Sequence, residues 1–428
     1  MKCCSAGDYP ARVADDPWRL APRGTACGRC DAPYWAAGGG ADSVATCSKP
    51  SEAYSMRFQV EREVLAEGIG WVARGLAVRP SVPILSGVVV NAEGDTLTLS
   101  GFDYEVSTRV ELKANVEESG TVLIPGRRLA DIAKVLPDVP IEFNVDQTKV
   151  YVQCDSNSFV LNALPLDEYP TLPKLPTVCG SVEGDQFARA VSQVAVVASR
   201  DDALPVLTGI GVNFDGEIMK LNATDRYRFA IRELAWKPEG TPSSSSVLVP
   251  ARTLLDFAKS LNKGDLVKIA LSDEGNLLGL HAGTRQMTCR LLEGTLPDYE
   301  KLFPKEFTSF GAVEVSRLVE ALKRVSLVLE RNSSVALDFT DGELVLQAGG
   351  ADDDRATSRM AASLEGESID IAFNPSFLLD GLTNLDASWA QFSFTSSNGK
   401  AVIMGKSSVD AEADTSARYL VMPVRFHR

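Results

Sequence analysis

Val122-Leu-Ile-Pro-Gly-Arg-Arg-Leu-Ala-Asp-Ile-Ala-Lys-Val-Leu136 returns as Val247-Leu-Val-Pro-Ala-Arg-Thr-Leu-Leu-Asp-Phe-Ala-Lys-Ser-Leu261 and, more loosely, as Ile371-Ala-Phe-Asn-Pro-Ser-Phe-Leu-Leu-Asp-Gly-Leu-Thr-Asn-Leu385. The copies stand about 125 residues apart, a domain length rather than the roughly 20–50 residues of a stacked solenoid repeat. Turn signals return at the same period, at Glu93-Gly94, Asp215-Gly216 and Asp341-Gly342, and predict one β-hairpin per copy. The chain therefore reads as three versions of one domain.

Each copy has the same order of elements. An amphipathic helix is predicted first, over 61–77, 184–199 and 313–329; in the second, Phe187, Ala190, Val191, Val194 and Ala195 fall on one helical face. The hairpin follows, and then the repeated segment, a strand running into a second helix (125–137, 250–263 and 374–385). Pro125, Pro250 and Pro375 open these second helices, where a missing N–H costs nothing. Alternating strands from Ile141 to Leu161, Leu266 to Leu291 and Ser388 to Met404 close each unit. The fold class is α+β, each domain two helices on an antiparallel sheet. The expected domains are 56–176, 177–305 and 306–428, joined by short, stiff proline-bearing connectors near Pro170–Pro176 and Asp298–Lys305. Residues 1–55 hold Cys3, Cys4, Cys27, Cys30 and Cys47, are rich in Gly, Ala and Pro, and show no periodicity. They read as a disordered extension, or as translation from an upstream start, with Met56 beginning the ordered pattern.

Several function classes find no support. No apolar run approaches the roughly 18 residues of a membrane span, and no secretory signal opens the chain, so the cytoplasm is the expected location. With two histidines and no nucleophile-elbow, Walker, zincin or dinucleotide motif, no catalysis, cofactor or metal is expected. Cys27-Gly-Arg-Cys30 lacks the second pair that a zinc ribbon needs, and Asp352-Asp-Asp354 reads as a solvated loop. Cys154, Cys179 and Cys289 read as inert thiols.

The net charge of −14 argues against nucleic acid as a partner, yet it is unevenly spread. The predicted helices are net positive and leave the rest of the chain strongly acidic. Their basic residues include Arg74, Arg127, Arg128, Lys134, Arg189, Arg200, Arg252, Lys259, Lys263, Arg317, Lys323, Arg324 and Arg331, with Arg79 just past the first helix. An acidic body with basic helices fits a protein that meets DNA on one face only; scattered, solvated side chains are the other reading. In the third domain the second helix has lost the basic residues and keeps only Asp380, so it should touch DNA least.

Four further motifs stand in order on this repeat: Arg79-Pro-Ser-Val-Pro-Ile-Leu85, Ala223-Thr-Asp-Arg-Tyr-Arg-Phe229, Leu296-Pro-Asp-Tyr299 and Tyr419-Leu-Val-Met-Pro-Val-Arg425. With the threefold repeat they resemble the bacterial sliding clamps, the β subunits of DNA polymerase III, from Met56 to about Phe426. The resemblance implies half of a head-to-tail homodimeric ring, with helices lining a hole around double-stranded DNA and sheets outside. Contact is then with phosphates, independent of sequence, and retention is topological. It singles out Arg79 and Arg200 as DNA contacts. It also implies a dimer interface of Phe159 and Leu161 against Leu327 and Leu329. A partner-peptide cleft between the second and third domains is implied at Leu207, Thr224, Arg226, Arg228, Phe229, Pro297, Lys301, Leu302, Leu420, Met422, Pro423, Val424 and Arg425. There the replicative polymerase, the clamp loader and repair proteins would dock short motifs. Arg226-Tyr227 departs from the Gly-His common in the family, which alters the expected shape of the cleft. The expected function is a non-catalytic processivity clamp; the alternative is a peptide-binding scaffold that does not encircle DNA.

Overall fold

A computed structural model describes residues 55–77, 79–239, 245–298, 301–330, 333–349 and 354–424. The expectations placed on the extension through residue 54, on Asp352, on Arg331 and on Arg425 lie outside the described residues. Six helices are present among those described: α1 (Arg62–Arg74), α2 (Gly126–Val135), α3 (Gly184–Ala195), α4 (Ala251–Ala258), α5 (Val315–Val325) and α6 (Pro375–Thr383). They pack in pairs, α1 on α2, α3 on α4 and α5 on α6.

The helices are shorter than their apolar patterns suggest, for local reasons. Gly75 ends α1 with a tight turn, its N–H bonding the carbonyl of Val72, and Leu76 is buried because it enters the core, not because it is helical. Leu136 is extended because Pro137 follows it, a neighbour that disfavours helical backbone. Pro125 and Pro250 stand one residue before their helices, as the last residues of strands; only Pro375 occupies a first turn, where Asn374 Oδ1 caps the Ser376 N–H at 2.9 Å. The hairpin glycines Gly94, Gly216 and Gly342 adopt φ values of 59°, 59° and 84°, the left-handed backbone that these turns require.

All the strand pairs are antiparallel, and the sheets cross the domain boundaries. Strand Val106–Lys113 of the first domain pairs with Arg285–Arg290 of the second, making one nine-stranded sheet. Strand Arg228–Ala235 of the second pairs in the same way with Ala417–Val421 of the third, within a twelve-stranded sheet. Two equivalent strands are left over. Asn157–Asn162 is the edge of a five-stranded sheet and, among the described residues, pairs only with Lys149–Cys154. Ala356–Gly366 pairs through Ala356–Ala361 with Glu343–Ala348, and through Ala362–Gly366 with Ser309–Glu314. The other edge of Ala356–Ala361 has no strand partner among the described residues. The chain thus joins its domains through two interdomain strand pairs, and its first and third domains each keep an equivalent strand with an edge that has no strand partner among the described residues.

Candidate nucleic-acid interface and partner cleft

Every described basic residue expected to meet DNA is exposed. Arg74 ends α1 and Arg79 follows it; Arg127, Arg128 and Lys134 ride on α2 and Arg189 on α3, with Arg200 beyond. Arg252 lies on α4, Lys259 and Lys263 just past it, and Arg317, Lys323 and Arg324 on α5. No basic residue lies on α6. Four are engaged internally: Arg127 donates to the Leu76 carbonyl at 2.6 Å, Arg189 pairs with Asp386 at 2.8 Å, Arg317 with Glu314 at 2.9 Å and Arg324 with Glu320 at 3.6 Å. The others have no ion-pair partner among the described residues. Arg74 and Arg252, from different domains, line one cavity at the first junction beside Trp71, Phe257 and Met287.

The cleft residues separate into a buried floor and an exposed rim. Phe229 and Leu420 are buried in a small core with Ile231 and Val402, against which Leu302 and Phe303 pack. Thr224 is buried, its hydroxyl donating to the Arg228 carbonyl at 2.7 Å and accepting from the Arg226 N–H at 3.1 Å. Arg226 holds φ at 81°, a left-handed backbone that glycine adopts without strain, and Tyr104 holds 75° at the matching place in the first domain. Tyr227, Met422 and Val424 are exposed and Pro423 is half-buried. The Met422 N–H donates to the Tyr227 carbonyl at 2.8 Å, fixing the chain end against this turn. Lys301 pairs with Asp298 at 3.1 Å, next to the exposed Pro297. Leu207 is half-buried and its carbonyl accepts from the Ser199 N–H.

Arg228 is not a rim residue. It is buried, with Nε donating to Asp225 at 2.8 Å, Nη1 to Asp380 at 2.6 Å and to the Tyr419 hydroxyl at 3.3 Å, and Nη2 to the Val196 carbonyl at 3.1 Å. Its guanidinium stacks 4.4 Å from the centre of the Phe377 ring. Burial pushes the Tyr419 hydroxyl well above its ordinary pKa, against the opposing pull of Arg228, so it remains a neutral donor and acceptor. Arg232–Asp414 at 2.8 Å and Arg418–Glu233 at 3.0 Å add ion pairs across the same junction.

Of the four residues expected at a dimer interface, Leu327 is 85% exposed, directly after α5. Phe159 and Leu329 are half-buried against the core, and Leu161 is 5% exposed, inside its own domain. Leu161 therefore serves the first domain's core. Val160 stands 54% exposed on the same strand.

The three domains match known families in order. Residues 56–173, 181–298 and 300–425 fit the N-terminal, central and C-terminal domains of the DNA polymerase III beta subunit. The beta sliding clamp of Streptomyces coelicolor is 52% identical over 373 residues, covering 86% of this chain and 99% of the relative. The chain belongs to the beta sliding clamp family. The beta sliding clamp of Micrococcus luteus is 43% identical over 310 residues, 72% of this chain and all of the relative (100%). A crystal structure of the Pseudomonas aeruginosa sliding clamp bound to griselimycin superposes with a TM-score of 0.78 at 27% identity, covering 87% of this chain and 100% of that one. The Bacillus subtilis sliding clamp shares the fold, with a TM-score of 0.78 at 24% identity, over 87% of this chain and 100% of that one.

As a beta sliding clamp, this chain is a replication processivity factor with no catalysis of its own. Burial pushes the Cys289 thiol up to about 12 and raises Cys154 and Cys179 as well, which keeps all three protonated and unreactive. Among the described residues no helix is long and apolar enough to cross a membrane, and no cluster of three or more acidic, His or Cys side chains could hold a metal. The reading of the sequence missed Asp225, Phe377, Asp380 and Tyr419 as partners of Arg228. One signal was available: Asp131, Asp256 and Asp380 recur at one position of the repeated segment.

Proposed function

We propose that two copies of this chain close head to tail into a ring that encircles double-stranded DNA. The observation that carries this reading is the pair of leftover strands. In both internal junctions the last strand of one half-sheet pairs with the last strand of another. Asn157–Asn162 of the first domain and the open edge of Ala356–Ala361 of the third are the strands left to make a third such pair. Pairing each with its counterpart in a second copy satisfies two exposed edges at once, and Leu327 and Val160 lie on the elements brought together. Phe159 and Leu329 support that contact from beneath.

The basic side chains of α1 to α5 face the duplex in this reading. Arg74, Arg79, Arg128, Lys134, Arg200, Arg252, Lys259, Lys263 and Lys323 contribute most, because they have no internal ion pair to break. Arg127, Arg189, Arg317 and Arg324 contribute less, and Arg331 belongs to the same set by sequence. Phosphate contacts of this kind are weak, sensitive to salt and permissive of sliding. The acidic remainder of the chain repels DNA from other surfaces. The rim around Tyr227, Pro297, Lys301, Met422 and Val424, over the floor of Thr224, Phe229, Leu302 and Leu420, takes short motifs from the replicative polymerase, the clamp loader and repair proteins in the cytoplasm. Apolar anchors in such a cleft give affinity in a few contacts. Native mass in solution tests the assembly: a stable dimer is required, and a monomer at micromolar concentration contradicts it.

A further inference from the structure

At the second junction Arg228 is held by Asp225, Asp380, Tyr419, the Val196 carbonyl and the Phe377 ring. Each of these has a counterpart at the first junction. Asp103 precedes Val106 as Asp225 precedes Arg228, and the two aspartates shape the same turn. Asp103 Oδ1 accepts from the N–H groups of Glu105 at 3.0 Å and Val106 at 2.7 Å; Asp225 Oδ1 accepts from those of Tyr227 and Arg228, both at 3.0 Å. Asp256 matches Asp380 in the repeated segment, and Thr253 matches Phe377 one helical turn earlier. Met287 holds the register position of Tyr419. Arg74 matches Val196, the two standing equally far from Glu61 and Glu183, the residues that precede α1 and α3.

All of these counterparts, with Val106 itself, line the cavity of about 210 Å³ at the first junction. That cavity is the Arg228 pocket with valine in place of the arginine. Its two carboxylates are kept. In the second junction Asp225 Oδ2 accepts from Nε and Asp380 Oδ2 from Nη1 of the guanidinium, whereas neither Asp103 nor Asp256 has an ion-pair partner among the described residues. Nearby cations do not fill the space. Arg285 is engaged by the Ser260 carbonyl and Glu67, and Arg74 and Arg252 are exposed.

We propose that this cavity binds a guanidinium group supplied from outside the chain. The occupant follows from the second junction, where the same arrangement holds one. Two carboxylates spaced for Nε and one Nη suit a planar fork of donors better than the point charge of an ammonium, and they repel phosphate. The Asp103–Val106 turn is the counterpart of the Asp225–Arg228 turn beside the partner cleft, so an arginine side chain of a bound protein is one source of the group and free arginine the other. The proposal is independent of the peptide-cleft reading.

The test uses the full chain isotopically labelled at its methionine methyl groups, because Met287 lies in the cavity wall and Met422 at the distant cleft. Titration with acetyl-arginine methylamide should move the Met287 methyl resonance saturably and leave that of Met422 in place. The citrulline analogue, which has the shape without the charge, and the lysine analogue should each bind at least about tenfold more weakly. Asp256→Asn should weaken binding of the arginine amide by about tenfold or more, since it removes one charged acceptor. Val106→Arg, which supplies the guanidinium from within the chain, should abolish binding and raise the thermal midpoint. Tighter binding of the amide than of free arginine assigns the group to a protein side chain, and the reverse order assigns it to the free amino acid. An unmoved Met287 resonance, equal binding of the citrulline analogue, or undiminished binding in folded Asp256→Asn or Val106→Arg overturns the proposal. Binding that appears only in Arg74→Ala or Arg252→Ala overturns it too, because one of the chain's own arginines then occupies the cavity.

Discussion

Arg228 of the second domain donates to Asp380 of the third at 2.6 Å, and Val106 stands at the matching place in the first domain. The correspondence is structural as well as sequential, since Arg228 pairs in register with Val421 and Val106 with Cys289 on equivalent strands. Asp225 and Asp380 therefore hold a guanidinium, whereas their counterparts Asp103 and Asp256 line the cavity at the first junction. At that junction the sheet contact is polar, with Ser107 and Thr288 hydroxyls 2.7 Å apart where Phe229 and Leu420 pack in the second. The second junction is pinned by a buried arginine held between two carboxylates; the first has instead the Arg285–Glu67 ion pair at its edge, with the Arg285 guanidinium 5.9 Å from the centre of the Trp71 ring.

Removing the pin should be costly. Arg228→Met leaves Asp225 and Asp380 facing each other without their cation, and the expected loss is about 3 kcal/mol of unfolding free energy. A double-mutant cycle with Asp380→Asn should return a coupling of about 1–3 kcal/mol, measured by urea unfolding. Strict additivity of the two changes contradicts the assignment.

Acid should loosen the same junction. Burial alone would raise the Asp414 carboxyl, but hydrogen bonds from Ser416 and Arg232 outweigh it and hold the group below its ordinary 3.8. A folded-state value below the unfolded one means that the stabilisation is present above the ordinary carboxylate range and is lost as pH falls through the lowered value. Asp414→Asn should therefore flatten the acid limb of the stability curve below about pH 4 and cost under about 1 kcal/mol at neutral pH, as expected of a partly exposed pair. An unchanged acid limb would remove Asp414 from the account.

Much of the fold was legible before the structure because local chemistry writes it. Gly94, Gly216 and Gly342 mark turns that demand left-handed backbone, and Phe187, Ala190, Val191 and Val194 can share a buried face only on a helix. What stayed hidden depends on contacts between distant parts of the chain. Arg228 has the composition of a surface residue, and nothing within its own segment shows that Asp380, 152 residues away, will bury it. Leu161 alternates correctly for an edge strand, but whether it faces its own core or a partner depends on packing that no single strand encodes.

The basic helices should not contribute equally to DNA contact. Replacing Arg128, Arg252 or Lys259 by Ala should each lower the slope of log affinity against log salt by about 1. Arg317→Ala or Arg324→Ala should lower it by less, because Glu314 or Glu320 already neutralises each side chain. Equal slopes across all five variants would separate these helices from the DNA path.

The interface residues should divide in the same way. Leu327→Asp should shift the protein toward monomer in sedimentation while leaving its unfolding midpoint unchanged, because Leu327 is 85% exposed. Leu161→Ala should instead destabilise the first domain by about 2–5 kcal/mol, the cost of a cavity in a packed core. A monomeric Leu161→Ala variant with native stability would return that residue to the interface.

The most direct measurement is retention on closed circular, nicked DNA compared with the same DNA after linearisation. A ring loaded on the circle should stay through high-salt filtration and run off once a free end exists, because its hold is topological rather than a matter of affinity. Equal loss from both templates would contradict encirclement.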